Sequence, residues 1–385
     1  MDQIKLLALC FILFTGIILA HDNHQKSQFV LELSQKLKAS DIISAHSHVD
    51  ETNIHDKQFG NGDLLAYVTP WNNKGYEVVK KFKGKFDYVS PVWYDVQRNS
   101  GEHMIIGEHN VDEHWMEQIR YQTDSGYMAG LIVPRFQFLN WQVSDYQGFI
   151  SDTEEQKRLS QLIVAQTRKH DFDGIVLECG FPVPLMTFVK SLADDLHQIE
   201  KQLILVLPPF RKGYQPMVDA NAFAMLSTFV DRFSLMTYDY SSYLPNGGPN
   251  APTDWIVDNI EELTNKSNRH QLLVGLNLYA MSYLPPQPPQ PLLMQQVLEK
   301  LTISPDTLND DDDDENSESN IIINWDKESE EHHFEDLDED GIMQGTIWMP
   351  SIKSLQRRIH LAEDYQVGLS LWEVGQGLDY FYELF

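Results

Sequence analysis

Short apolar runs rich in β-branched and aromatic residues alternate along this chain with longer amphipathic stretches, one pair about every 25 to 50 residues. The runs are Leu64–Thr69, Tyr88–Trp93, Gly130–Phe138, Gly174–Leu177, Leu203–Leu207, Phe233–Tyr238, Leu272–Tyr279 and Gly368–Trp372. Between them, polar and apolar residues recur at three-to-four spacing over Glu154–His170, Pro184–Glu200, Ala220–Phe229, Pro252–Thr264 and Ile352–Tyr365, which predicts helices. Strands joined by helices predict parallel pairing, because a parallel neighbour needs a crossover of helical length. Eight such units predict an α/β chain folded as a (β/α)8 TIM barrel. The competing architecture, a doubly wound open sheet, lacks support because no strand here runs into a Gly-rich dinucleotide turn.

The stretch Tyr283–Met349, between the seventh and eighth strands, is too long for a plain loop and carries the Pro-rich LPPQPPQP at Leu284–Pro291. It predicts a small inserted lobe. The expected organisation is therefore a signal peptide over 1–20, a polar leader over 21–60, and a barrel over 61–385 whose insertion, 283–349, contains a disordered acidic loop at about 305–320. The signal reading rests on KLLALCFILFTGIILA at Lys5–Ala20, a positive start and an apolar stretch shorter than the ~20 residues of a membrane span. A membrane anchor is the alternative there. Cleavage near Ala20 removes Cys10 and leaves Cys179 alone, so no internal disulfide is expected. The sequon Asn265-Lys266-Ser267 is a candidate glycosylation site for a protein on the secretory route, with a secreted or lysosomal destination.

Charge changes the picture less than its total implies. The chain carries −28, but Asp306–Asp340 holds 17 acidic residues and one Lys, so −16 is local and −12 remains for everything else. Such acidity repels phosphate backbones, and nucleic acid is not an expected partner. The unbroken run Asp310–Glu315 predicts a solvated, disordered segment. Asp336, Asp338, Asp340 and Gly341 echo the first half of a calcium loop, yet position twelve falls on Ile347 where a bidentate Glu is needed, and the alternative is a hairpin turn at Asp340-Gly341. The histidine pairs His46/His48 and His332/His333 lack a third ligand at regular spacing, and no metal or cofactor is expected.

In a barrel of this kind the residues closing the strands make the site. Trp71, Trp93, Arg135, Trp141, Glu178, Tyr238, Asp239, Tyr240, Asn277, Tyr279 and Trp372 are the candidates, a set of flat rings beside groups that orient hydroxyls, which suits sugars. The alternative for any one ring is ordinary packing in the barrel mouth. Four motifs, AYVTPWN at Ala66–Asn72, FDG at Phe172–Gly174, MTYDY at Met236–Tyr240 and GLSLWEVGQG at Gly368–Gly377, appear in an order that resembles the family 18 glycoside hydrolases: chitinases and chitinase-like lectins, most closely their chitinase domain-containing branch. The resemblance implies a catalytic strand D-G-x-D-x-D-x-E. Aligned on Asp173-Gly174, its acidic positions fall on Asp173, Val176, Glu178 and Gly180. In that family the final Glu protonates the glycosidic oxygen and the substrate's N-acetyl oxygen is the nucleophile. Gly180 leaves the acid position empty.

On that resemblance the chain is expected to be a chitinase-like lectin that binds chito-oligosaccharides or related microbial glycans, bacterial surface glycans among them, with an innate-immune role. Trp372 would floor the central sugar, Tyr238 and Asp239 would bond its N-acetyl group, and Trp71, Trp93 and Trp141 would stack flanking sugars. The rival expectation is a glycoside hydrolase with Glu178 or Asp239 as an atypical acid. For Glu178 three roles stay open: a buried carboxylate paired with Asp239, Tyr238 or another donor, a sugar contact, or the acid itself. Cys179 follows on the opposite strand face and is expected to point toward the helices.

Overall fold

The computed structural model describes residues 37–60, 62–99, 101–120, 130–244, 246–302, 321–338 and 341–385. The expected signal segment with Cys10 and the acidic run Asp310–Glu315 lie outside the described residues. The eight apolar runs form eight parallel staves of a TIM barrel. They are Leu64–Val68, Tyr88–Pro91, a third stave in two pieces (Leu131–Ile132 and Arg135–Phe138), Gly174–Glu178, Gln202–Leu207, Arg232–Leu235, Leu272–Asn277 and Gly368–Trp372. The eighth stave lies between the seventh and the first, so the sheet curls round to join its ends. The ring is completed by the third stave, whose first piece pairs with Tyr88 and Val89 and whose second pairs with Val176–Glu178.

Two prolines set the irregular side of this ring. Pro has no N–H to give a ladder. The second stave stops at Pro91, where the sequence pattern ran on to Trp93, and the chain then restarts as a new strand, Tyr94–Asn99. That strand pairs with Arg135–Phe138 and turns back through an antiparallel hairpin with Glu102–Ile106. The expected continuous strand Gly130–Phe138 is likewise split at Val133-Pro134. Around the staves, the longest helix among the described residues, Thr153–Lys169, starts where Asp152 accepts the Glu155 N–H (2.9 Å), and Ile352–Tyr365 starts at Ser351, which caps Ser354 N (3.1 Å).

The core has two layers. Leu65, Tyr67, Val176, Ile204, Val206 and Leu273 fill the lumen, while alternate residues such as Ala66, Val68, Leu177, Leu205 and Cys179 pack outward against the helices. Cys179 is fully buried there, and burial pushes its thiol up to about 12. Residues 37–60, polar in pattern, wrap onto this outer layer: Ala39–Ala45 is a helix, and Leu37, Ile42 and Phe59 are buried.

Between the seventh and eighth staves the chain builds a second, five-stranded antiparallel sheet from Ala280–Tyr283, Gln290–Leu292, Asn324–Asp326, Glu331–Leu337 and Met343–Met349. Its longest pair is Glu331–Leu337 with Met343–Met349; beyond it Gly341 is left-handed (φ 75°) with its N–H on Asp338 O (2.9 Å), while Asp340 of the expected turn lies outside the described residues. Position twelve of the candidate calcium loop, Ile347, is fully buried in this sheet. Among the described residues no group of three His, Cys, Asp or Glu side chains is arranged to hold a metal, and no helix is long and apolar enough to cross a membrane.

One buried ion pair fastens the small sheet to the barrel. Arg358, on the helix before the eighth stave, donates to Glu331 Oε1 (3.0 Å), and Glu331 also accepts from Asn250 N (2.8 Å) and Ala251 N (2.6 Å) in the loop after the sixth stave. The remaining Arg358 donors reach the carbonyls of Ala251, Ser329, Glu330 and Ser354. Glu331→Ala leaves a buried guanidinium without its carboxylate, and urea titration is expected to show a loss of about 3–5 kcal/mol of unfolding free energy.

Candidate functional site

Strand alternation selects what faces the lumen. Tyr67, Arg135, Gln137, Val176, Glu178, Val206 and Trp372 each sit two residues from another inward position of their stave, and together with the Met236–Asp239 segment they close the carboxyl end of the barrel. A cavity of about 200 Å³ opens there, lined by Tyr67, Arg135, Glu178, Val206, Met236, Tyr238, Asp239 and Trp372. Trp372 is its largest ring. Tyr67 meets it edge-on (5.2 Å), Tyr238 lies nearly parallel (6.4 Å, 19°), and the Arg135 guanidinium sits over it at 5.3 Å. Below, Tyr67 donates to Ser234 Oγ (2.9 Å), which bonds Ser370 (3.3 Å), so these three hydroxyls form one chain across the lumen.

Glu178 is held from one side only. Arg135 Nη1 donates to its Oε2 (2.9 Å) and Gln137 Nε2 to its Oε1 (3.1 Å), while Arg135 Nη2 closes the triangle on Gln137 Oε1 (2.8 Å). The partner of Glu178 is thus a third-stave cation, not Asp239 or Tyr238. Arg135 and Gln137 reach it because register places Arg135 beside Val176 and Gln137 beside Glu178. Asp239 has its own environment. Its backbone is left-handed (φ 61°), a conformation Asp tolerates better than most side chains, and it is pinned by its N–H to Asn250 Oδ1 (2.7 Å) and by Arg211 on its carbonyl (3.1 Å). Burial raises the Asp239 carboxyl above the usual range, against the hydrogen bond from Tyr279 OH and the Arg211 charge, which lower it.

Five of the sequence-derived candidates therefore share one cavity: Arg135, Glu178, Tyr238, Asp239 and Trp372. Tyr279 and Asn277 stand behind it, Tyr279 bonding Asp239 and Asn277 bonding the Tyr279 carbonyl (2.9 Å). Tyr240 turns away to stack near Trp255 (4.9 Å) beside a second hollow of about 390 Å³ that also borders Arg211, Tyr243 and the small sheet's Asp326 and Ser329. Trp71 is exposed (69%) at the end of the first stave. Trp93 and Trp141 were expected at the mouth and lie instead between staves and helices. Trp93 is buried against Trp115 with its N–H on Tyr76 OH (2.8 Å), and Trp141 stacks on Phe138 with its N–H on Val96 O (2.9 Å). Their proximity to a strand end carried no information on which way they face. Conversely, Tyr67 and Gln137 were absent from the candidates although the alternation in AYV and RFQF marks both as inward. Asn265 sits in an exposed turn, its side chain accepting from Ser267 N (2.8 Å) and Oγ (2.6 Å).

Beside Trp372, on the outward face, Glu373 is 1% exposed. It accepts from Asn72 Nδ2 (2.5 Å) and Gly375 N (3.0 Å), tying the eighth stave to the first. Burial pushes its carboxyl up to about 7, against those two hydrogen bonds and the Lys74 charge.

A model of the glycosyl hydrolases family 18 matches residues 140–377. Among solved structures, a chitinase from Chromobacterium violaceum ATCC 12472 is similar at 17% identity, over 84% of this chain and 97% of that one, with a TM-score of 0.65. The Bacillus cereus spore cortex-lytic enzyme SleL is similar at 15% identity, over 84% and 73%, with a TM-score of 0.64. A GH18 chitinase from Cycas revoluta, determined in complex with (GlcNAc)3, is similar at 12% identity, over 83% and 97%, with a TM-score of 0.63.

The Glu373 environment carries a pH signature. Its pKa is near 4.5 when unfolded and about 7 when folded, so the folded state holds the extra proton between these values. The associated stability is fully present below pH 4.5 and is lost as pH rises through 7. Glu373→Gln is expected to remove that slope, leaving the variant roughly 3 kcal/mol better placed relative to wild type at pH 8 than at pH 4, read from denaturation midpoints at both values.

Proposed function

This chain belongs to glycosyl hydrolases family 18, and on that footing we propose that it is a chitinase-like lectin, which binds oligosaccharides containing N-acetylglucosamine at the barrel mouth without cleaving them efficiently. The observation that carries the reading is the engagement of Glu178: both its oxygens accept hydrogen bonds from Arg135 and Gln137, in a cavity whose largest surface is the Trp372 ring. Such a cavity offers an apolar face and fixed polar groups to a sugar ring. Glu178, so engaged, is not free to donate a proton, and Gly180 has no side chain to supply one. A proton donor is worth about 10²- to 10⁴-fold in rate, so its loss removes most turnover and leaves binding. The (GlcNAc)3 complex of the cycad chitinase, which shares the fold, supports the choice of ligand class.

In this reading Tyr238 and Asp239 bond the N-acetyl group, Trp372 stacks on the central sugar, and the chain lies nearest the chitinase domain-containing branch of the family. The exposed Asn265 and the apolar N-terminal stretch favour passage along the secretory route, to the outside or to a lysosome, where microbial glycans are the proposed ligands. A second reading has one observation in its favour: the Asp239 carboxyl lines the cavity and is held above the usual range by burial, which suits an acid in an atypical hydrolase.

Calorimetric titration of the full chain with chitotetraose is expected to give measurable affinity that falls about 10- to 100-fold in Trp372→Ala, with thermal melting confirming that the variant is folded. A chromogenic chitobioside is expected to stay intact. No affinity for chito-oligomers would sink the lectin reading, and turnover that vanishes in Asp239→Asn would replace it with the hydrolase.

A further inference from the structure

The fourth stave ends at Glu178, and two residues later Gly180 takes a left-handed backbone (φ 72°), so strand alternation does not carry through to it. The space a side chain at 180 would need is occupied. A Cβ built on Gly180 would lie 2.8 Å from the Tyr146 hydroxyl oxygen, about the span of two carbon–carbon bonds. Tyr146 comes from the helix Val143–Ser151, which follows the third stave, and its ring is fixed between Trp141 (5.2 Å) and the edge-on, 43% exposed Phe181 (4.9 Å). The hydroxyl makes no hydrogen bond to the described residues, whereas Tyr67, Gln137, Glu178 and Asp239 at this end of the barrel are each engaged. An oriented phenol with a spare donor therefore stands beside the end of the fourth stave, one step outward from Glu178.

We propose that the Tyr146 hydroxyl is a ligand-binding group at the rim of the mouth, donating a hydrogen bond to the bridging oxygen of a bound N-acetylglucosamine oligosaccharide from beside Gly180. This rests on the lectin reading above and adds to it the residue that meets the linkage. The chemistry of the phenol fits holding rather than cutting. Burial, reinforced by the nearby Cys179, Glu178 and Asp145, pushes the Tyr146 hydroxyl up to about 12. It keeps its proton at every physiological pH and remains a donor, and it is far from the near-neutral acidity that efficient proton transfer to a leaving oxygen requires. The same crowding makes position 180 hard to refill, since any side chain there meets both a left-handed backbone and the Tyr146 oxygen.

The test pairs one substitution with one change in the ligand. Chitotetraose and its thio-linked analogue, whose bridging sulfur is a weak acceptor, are titrated into the full-length wild type and Tyr146→Phe. Phe keeps the ring against Trp141 and Phe181, so thermal melting is expected to be unchanged. Wild type is expected to prefer the oxygen-linked ligand, and Tyr146→Phe to lose about 5- to 10-fold in affinity for it while binding the thio-linked ligand as wild type does. Equal affinity of wild type and Tyr146→Phe for chitotetraose overturns this proposal and leaves the lectin reading standing. An equal loss for both ligands also overturns it, because the hydroxyl would then act elsewhere than on the linkage. Failure of wild type to bind either ligand overturns both readings together.

Discussion

The guanidinium of Arg358 and the carboxylate of Glu331 meet where water does not reach, and the site depends on their meeting. Bringing two charges out of water costs several kcal/mol each, which is offset only when every remaining donor and acceptor finds a partner. Here they do: four backbone carbonyls take up the other Arg358 donors, and two backbone N–H groups take up the Glu331 oxygens. Those two N–H groups belong to Asn250 and Ala251, and Asn250 in turn receives the Asp239 N–H. A single line of hydrogen bonds thus runs from the small sheet to the backbone of Asp239, whose carboxyl lines the cavity. Tyr279 reaches the same carboxyl from the segment that leads into that sheet. The insertion is therefore part of the barrel mouth rather than an appendage to it.

Within the lumen two polar clusters are internally bonded. Tyr67, Ser234 and Ser370 form one chain, and Arg135, Gln137 and Glu178 form a closed triangle. A carboxylate locked into such a triangle has little freedom to change partners during a reaction, while the same rigidity gives a bound sugar a surface that does not need to be ordered first.

How much of this the sequence made legible follows from which physical rule each residue obeys. The eight staves, the third as one piece rather than two, and the main helices were readable because period-2 and period-3.6 patterns are local. The hairpin Tyr94–Ile106 was not, because Pro91 interrupts an apolar run whose continuation looks like a loop until its partner, Arg135–Phe138, is known. At the site, Glu178, Asp239 and Trp372 were found from motif position. Trp93 and Trp141 were misplaced because closeness to a strand end says nothing about the face a ring takes, whereas counting in twos from Leu65 or Val176 would have brought in Tyr67 and kept Glu178. Tyr146 left no local signal: its meaning comes from a contact with Gly180, 34 positions away, that only the folded chain creates.

The split third stave has a mechanical side. Between the second and third staves the ladder is two residues deep, Tyr88 with Leu131 and Val89 with Ile132, whereas the other joints of the ring pair three to five residues each. Resistance to opening is thus unequal around the circumference. The barrel has a seam, placed by Pro91 and Pro134, about a third of the way round from the cavity-lining eighth stave, and deformation that would otherwise spread through the ring is concentrated there.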